Sequence, residues 1–173
     1  MVGSRNGRSE VKRKNILVPS KGEYVRGKRP DVDCILCALA EHDESVVDTV
    51  IWENELFVIA LNLYPYNVGH IMIFPKRHIT NLSEFSQEEM VQLFHLTQKT
   101  ENILKDLYSP CGFNIGFNIG PCSGASISHI HLHIVPRYKN ELSFMDVLGG
   151  AKVIVEDPVI TKEKLREKFG EIL

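Results

Sequence analysis

The sequence predicts an α+β protein, an antiparallel five-stranded sheet with one short and one long helix, and three patterns lead to that class. Residues 129–135 alternate imidazole and apolar side chains with the two-residue period of a strand. Residues 50–52, 56–61 and 70–74 are apolar runs bounded by turn-forming residues, as strands are. Residues 87–108 carry a mainly apolar stripe at helical spacing, over a length no ordinary strand reaches.

With 173 residues, 43% of them hydrophobic, the chain is long enough to bury a real core in one domain. A formal net charge of -2 carries no overall nucleic-acid signature, so a preference for polyanions must be local and nucleic acid is not an expected partner. Four cysteines, no secretory apolar segment and no apolar run approaching membrane-spanning length predict a cytoplasmic protein with reduced thiols and no membrane partner. Three regions follow: a basic, partly ordered extension over 1–31, a main domain over 32–150, and a strand and helix tail over 151–173.

In the extension, nine Lys and Arg residues from Arg5 to Arg29 stand against Glu10, Glu23 and Asp31, which reads as a solvated, partly disordered segment; attraction of phosphates or RNA is the weaker alternative. Cys34-Ile-Leu-Cys37 opens a short amphipathic segment running to His42. A lone Cys-x-x-Cys fits zinc ligands, a redox pair or two buried thiols, and a closed structural zinc site needs two ligands more. Val50-Ile51-Trp52 and residues 56–61 read as strands joined at Asn54-Glu55. The breaker-rich turn 62–69 precedes the strand His70-Ile-Met-Ile-Phe74, which Pro75 stops.

Ser86 caps the long helix, with Glu88 and Glu89 in its first turn, where the helix dipole favours acids. Its core stripe is Met90, Leu93, Phe94, Thr97, Ile103, Leu104 and Leu107, while His95 reads as solvated. Residues 113–119 form a strand whose Asn114, Gly116 and Asn118 share a face; Cys111 and Cys122 read as small packing residues. Residues 151–156 form a further strand, and Thr161 caps a terminal helix to Phe169.

The chemistry concentrates at 129–135. His129, His131 and His133 project from one side and Ile130, Leu132 and Ile134 from the other, and a strand packed by its apolar face cannot slip by one residue. Three polar rings on one strand face oppose packing unless they do chemistry. Either two of them chelate zinc, or a neutral imidazole attacks phosphorus and carries the group for one half-reaction. The loop over 118–128 favours phosphate: Asn118, Gly120, Gly124 and Ser126 offer an amide, a hydroxyl and uncrowded backbone N–H groups. Arg137 would add a permanent cation near the phosphate path.

A His-φ-His-φ-His-φ-φ motif after a Gly/Ser loop resembles the histidine triad (HIT) superfamily of nucleotide hydrolases and transferases, over roughly residues 33–148. The chain is most similar to the dinucleoside polyphosphate phosphorylase and hydrolase branch, like the fragile histidine triad proteins. That branch usually has Trp, Asp and Asn where this chain has Tyr138, Glu141 and Ser143. The leader motifs Ile16-Leu17-Val18-Pro19 and Glu23-Tyr24-Val25 are similar to those of its phosphorylases, where the leader packs on the domain.

The resemblance implies a HIT-like fold, a homodimer joined across the long helix and the neighbouring strand, and a structural zinc on Cys34, Cys37, His78 and His129. It implies catalysis by His131 as nucleophile with His133 and with His70 on the neighbouring strand, and substrate binding by Asn62, Asn118, Gly124, Ser126 and His133. Asn62 corresponds to the ribose contact, and Leu61 and Phe57 to the base pocket. The implied reaction is attack of His131 on the α-phosphorus of a dinucleoside polyphosphate, adenine nucleotides being the expected substrates. The other readings are an adenosine 5'-phosphoramidate hydrolase, a nucleotide-binding adaptor without catalysis, and a metallohydrolase with the three histidines on a catalytic ion. The shortage of carboxylates beside the motif counts against the last.

Overall fold

The computed structural model describes residues 14–16, 30–139, 141, 151–154 and 156–172. The disorder expected of the basic extension and the packing expected of its leader fall on residues outside that set, apart from strand β1 (Lys14–Ile16), which pairs in parallel with β7 (Ala151–Val153).

The main sheet is antiparallel and five-stranded, as the sequence predicts: β2 (Val50–Glu53), β3 (Phe57–Leu61), β4 (Ile71–Pro75), β6 (Leu132–Arg137) and β5 (Gly112–Phe117), in that spatial order. Asn54 makes the first turn, its Oδ1 accepting from the Leu56 and Phe57 N–H groups at 2.9 and 2.8 Å. The helices are α1 (Ile35–Ala40), α2 (Gln87–Tyr108) and α3 (Pro158–Ile172).

Both faces of the sheet are covered, and the two-residue period decides which residue meets which cover. Phe57, Ile59 and Leu61 with Ile71, Ile73, Leu132 and Ile134 pack under Leu93, Leu96, Ile103 and Leu104 of α2 and Leu165 and Phe169 of α3. Val58, Ala60, Met72 and Phe74 pack under Leu36, Ala38 and Leu39 of α1. The C-terminal helix is therefore part of the core. It starts at Pro158, three residues before the predicted cap, because Asp157 bonds the Val159 N–H at 2.8 Å and proline suits the first helical position.

Two expectations are corrected here. Met90 and Phe94 are exposed, Phe94 by 71%, because the buried face of α2 runs through Glu89, Leu93, Leu96, Thr97, Thr100, Ile103 and Leu104. At about 100° per residue Phe94 lies well around the helix from the middle of that face. The last strand begins at Leu132, not at residue 129. Its pairing with β4 spans Ile71↔Ile134 to Ile73↔Leu132, and Pro75, with no N–H to donate, ends β4. Residues 129–131 instead run beside 75–79, the Ile130 N–H donating to the Ile79 carbonyl at 2.7 Å.

Candidate functional site

The alternation predicted for 129–134 survives that correction. Ile130, Leu132 and Ile134 enter the core under α2, and His133 sits on the α1 side, opposite Met72 of β4 and Gly116 of β5. Gly116 has no side chain to crowd the imidazole, and Asn118 reaches it: its side-chain amide lies 3.4 Å from His133 Nε2. His131 and His133 rings lie 4.6 Å apart, nearly perpendicular.

The hydrogen bonds fix which nitrogen of each ring carries its proton. His131 Nδ1 donates to the His129 carbonyl at 2.8 Å, leaving Nε2 with its lone pair. His70 is wholly buried, its Nδ1 accepting from the Tyr66 N–H at 3.1 Å. Its Nε2 therefore carries the hydrogen and donates to His133 Nδ1 at 3.0 Å, so His133 presents an Nε2–H. Burial first, and neighbouring imidazoles second, push His70 down to about 3 and His133 down to about 4; burial also lowers His131. All three rings are neutral near pH 7.

His131 and His133 open onto a cavity of about 440 Å³. Of the predicted residues, His131, His133, Asn62, Asn118, Gly124 and Ser126 line it, and His70 supports His133 from behind. Gly124 occupies the left-handed region at φ 87°, the freedom the loop needs to turn beside the rings. Asn62 is also a turn residue, accepting from the Tyr64 N–H at 2.9 Å. The turn is pinned by buried Asn67, which donates to the Pro136 carbonyl at 2.7 Å and to Glu141 at 3.0 Å.

Phe57 and Leu61 do not line this cavity. They point to the opposite face of β3, and the apolar end of the cavity is built by Ile35, Leu36, Leu39, Val46 and Leu63. The short amphipathic helix after Cys34 was the available signal. Arg137 is also displaced: it lies four residues, about 13 Å of strand, beyond His133 and is paired with Glu141 at 2.6 Å.

Behind the cavity, Cys34, Cys37, His78 and His129 bring one ligand atom each to within 4.8 Å of all the others, positioned to bind a metal ion. His129 Nε2 donates to the Pro75 carbonyl at 3.0 Å, which turns its Nδ1 lone pair toward both sulfurs at 3.5 Å. His78 Nδ1 is 3.3 Å from Cys37 Sγ. His129 thus serves this cluster while His131 and His133 serve the cavity, which removes the reading of all three around one ion.

Fold and site define an α+β domain in which a sheet end carries neutral imidazoles beside a glycine-containing loop. The chain belongs to the HIT domain family, whose model matches residues 44–140. It is 40% identical over 106 residues, 61% of this chain, to the AP-4-A phosphorylase of Mycobacterium tuberculosis. It is 29% identical over 99 residues, 57% of this chain, to the asymmetrical bis(5'-nucleosyl)-tetraphosphatase of Schizosaccharomyces pombe. The match spans 54% of each of those proteins, about half their length. A zinc-bound histidine triad family protein from Mycobacterium smegmatis superposes with a TM-score of 0.67 at 26% identity, covering 81% of this chain and 95% of that one. Among the described residues, no helix is long and apolar enough to cross a membrane.

Proposed function

We propose that the protein is a nucleotidyl hydrolase or transferase acting on the α-phosphate of dinucleoside polyphosphates such as diadenosine tetraphosphate, through a nucleotidyl-histidine. The observation that carries this reading is the fixed tautomer of His131, Nδ1 bonded to the His129 carbonyl and Nε2 unprotonated in a ring that lines the cavity. His131 Nε2 attacks the α-phosphorus; a bond to nitrogen forms and the bond to the bridging oxygen breaks, releasing ATP. His133 Nε2–H, with Asn118 and Ser126, holds the oxygens on which charge develops. Water or inorganic phosphate then attacks the same phosphorus and loses a proton to solvent; the imidazole leaves neutral with Nδ1–H unchanged, and AMP or ADP departs.

The name of the 40%-identical relative favours phosphate as acceptor. Incubation with diadenosine tetraphosphate decides: ADP plus ATP appearing only with phosphate means phosphorolysis, and AMP plus ATP without it means hydrolysis. With no reaction, adenosine 5'-phosphoramidate is the substrate to try, and a nucleotide-binding adaptor is what remains if that also fails. His131→Asn is expected to reduce turnover by several orders of magnitude while nucleotide binding survives; near-normal turnover would remove the covalent route.

Zinc is the ion this reading assigns to the cysteine–histidine cluster. Tetrahedral zinc with bonds of about 2.3 Å to sulfur and 2.0–2.1 Å to nitrogen separates S and N by about 3.6 Å, and three of the four sulfur–nitrogen distances here are 3.3 to 3.5 Å. Cys34, Cys37, His78 and His129 would hold it as a closed structural site, fixing the chain that leads into His131. The reading also includes a homodimer across α2 and β5. In its favour, β5 is an edge strand with Ile115 exposed, and α2 exposes Met90, Val91 and Phe94. The cytoplasm suits the free cysteines Cys34, Cys37, Cys111 and Cys122.

A further inference from the structure

The turn 62–69 contributes two aromatic rings to the cavity wall that the catalytic reading does not use, Tyr64 and Tyr66, each 52% exposed. The Tyr66 ring is stacked on His70, centroids 4.9 Å apart and planes 20° from parallel, and lies 6.4 Å from His133. One face of the tyrosine is thus occupied by a wholly buried imidazole, so its exposure comes from the other face and the edge. Rings pass without a break from His131 through His133 and His70 to Tyr66, from the buried interior to the rim. The cavity is apolar at the α1 end and polar at His131 and His133, so it accommodates one nucleoside with its α-phosphate at His131. On the proposed function, the remaining phosphates would lead past His133 toward Tyr66, whose ring lies 6.4 Å from that of His133.

We infer that the outer face of Tyr66 is a stacking platform for the second nucleobase of a dinucleoside polyphosphate, the half that leaves with the polyphosphate. This rests on the function proposed above and adds to it a reason to prefer dinucleotides over mononucleotides. An aromatic face takes any base, because every base has a π-face, so the platform selects for the presence of a second nucleoside and not for its identity. Its position is held by contacts that do not depend on substrate: the Tyr66 N–H bond to His70 and the stack on that ring.

The test compares diadenosine tetraphosphate with adenosine 5'-tetraphosphate, which lacks the second nucleoside, by calorimetric titration of the full chain in the His131→Asn background, which binds without turning the ligands over and is the wild type at Tyr66. The wild type is expected to bind the dinucleotide about tenfold more tightly, Tyr66→Leu to bring that ratio close to one, and Tyr66→Trp to keep it. Because the readout is a ratio, a disturbance of His70 common to both ligands cancels. Equal affinities in the wild type, or a preference that persists in Tyr66→Leu, would overturn the platform and leave the proposed function standing. Failure of the wild type to bind either ligand would overturn both.

Discussion

His70 Nε2 stands 3.0 Å from His133 Nδ1, and the Tyr66 N–H on the far side of His70 makes the first ring the donor and the second the acceptor. One backbone amide therefore dictates that His133 offers a hydrogen, not a lone pair, to the cavity. His70→Ala frees His133 to adopt either tautomer. Turnover of diadenosine tetraphosphate is expected to fall about 100-fold with KM little changed, the size of a misdirected proton donor. Steady-state kinetics on the folded variant checks it.

On the proposed function, the same pair together with His131 would set the acid limit of activity. Protonating His133 places a second hydrogen on Nδ1, facing the one that His70 already donates. Burial holds His133 at about 4 and His70 at about 3, below the ordinary imidazole value of 6.5. Both rings thus keep their working forms as pH falls through 6.5, and burial lowers the nucleophile His131 as well, so the rate should hold through pH 6.5 and fall only below it, where the first of the three rings to protonate sets the limit. A pH–rate profile with circular dichroism at each point measures it; an acid limb centred near 6.5 would contradict the geometry.

How much of this was legible beforehand follows from which forces act locally. Alternation along 129–134 assigned His133 to a solvent-accessible face and Leu132 to the core, because the pleat is a local constraint. The partnership of Cys34 with His129, 95 residues apart, came only through family resemblance. The errors at Phe57, Leu61 and Phe94 share a cause: an apolar residue in a strand or helix tells that it is suitable for burial, not which of two covered faces, or which side of the helix, the tertiary packing selects. Arg137 follows the motif closely in sequence but not in space, because an extended strand carries it about 13 Å beyond His133.

Zinc at the cysteine–histidine cluster should appear as one ion per chain by elemental analysis. Without a cation, burial and the adjacent Cys34 push the Cys37 thiol up to about 12. Chelator treatment or Cys37→Ser is expected to lower Tm by about 10 °C, corresponding to about 3 kcal/mol of a structural ion's contribution. A metal-free protein with unchanged Tm would leave the four residues as ordinary buried groups.

If α2 and β5 form a dimer contact, Phe94, at 71% the most exposed large apolar side chain among the described residues, is the one most open to burial by a partner. Phe94→Glu introduces a charge there and should convert the dimer to a monomer in sedimentation equilibrium, with monomer fold intact because the opposite face of α2 is untouched. A wild type already monomeric at micromolar concentration would remove the dimer from the proposal.

Glu89 joins the start of α2 to the segment that carries His78 of the cysteine–histidine cluster. Its carboxylate accepts from Arg77 Nε and Nη2 at 2.8 Å each and from the Ser86 N–H at 2.7 Å, while Ser86 Oγ accepts from the Glu89 N–H at 3.1 Å. A capping box thus anchors the residue before His78. The Arg77 bonds, with the Ser86 bond, hold Glu89 down to about 2 against an ordinary 4.5. A carboxylate depressed on folding contributes stability that is complete above the unfolded value and is lost as pH falls from about 4.5 through about 2. Glu89→Gln keeps the shape and removes the charge. Arg77 is half exposed, so solvent screens the pair and the variant is expected to melt only a few degrees lower at pH 7, short of the loss from a fully buried pair. The gap between wild type and variant should close progressively below pH 4.5 in thermal melts at stepped pH, because the wild type protonates the same oxygens that the amide replaces. A gap that stays constant down to pH 2 would mean that the contribution of Glu89 is packing, not charge.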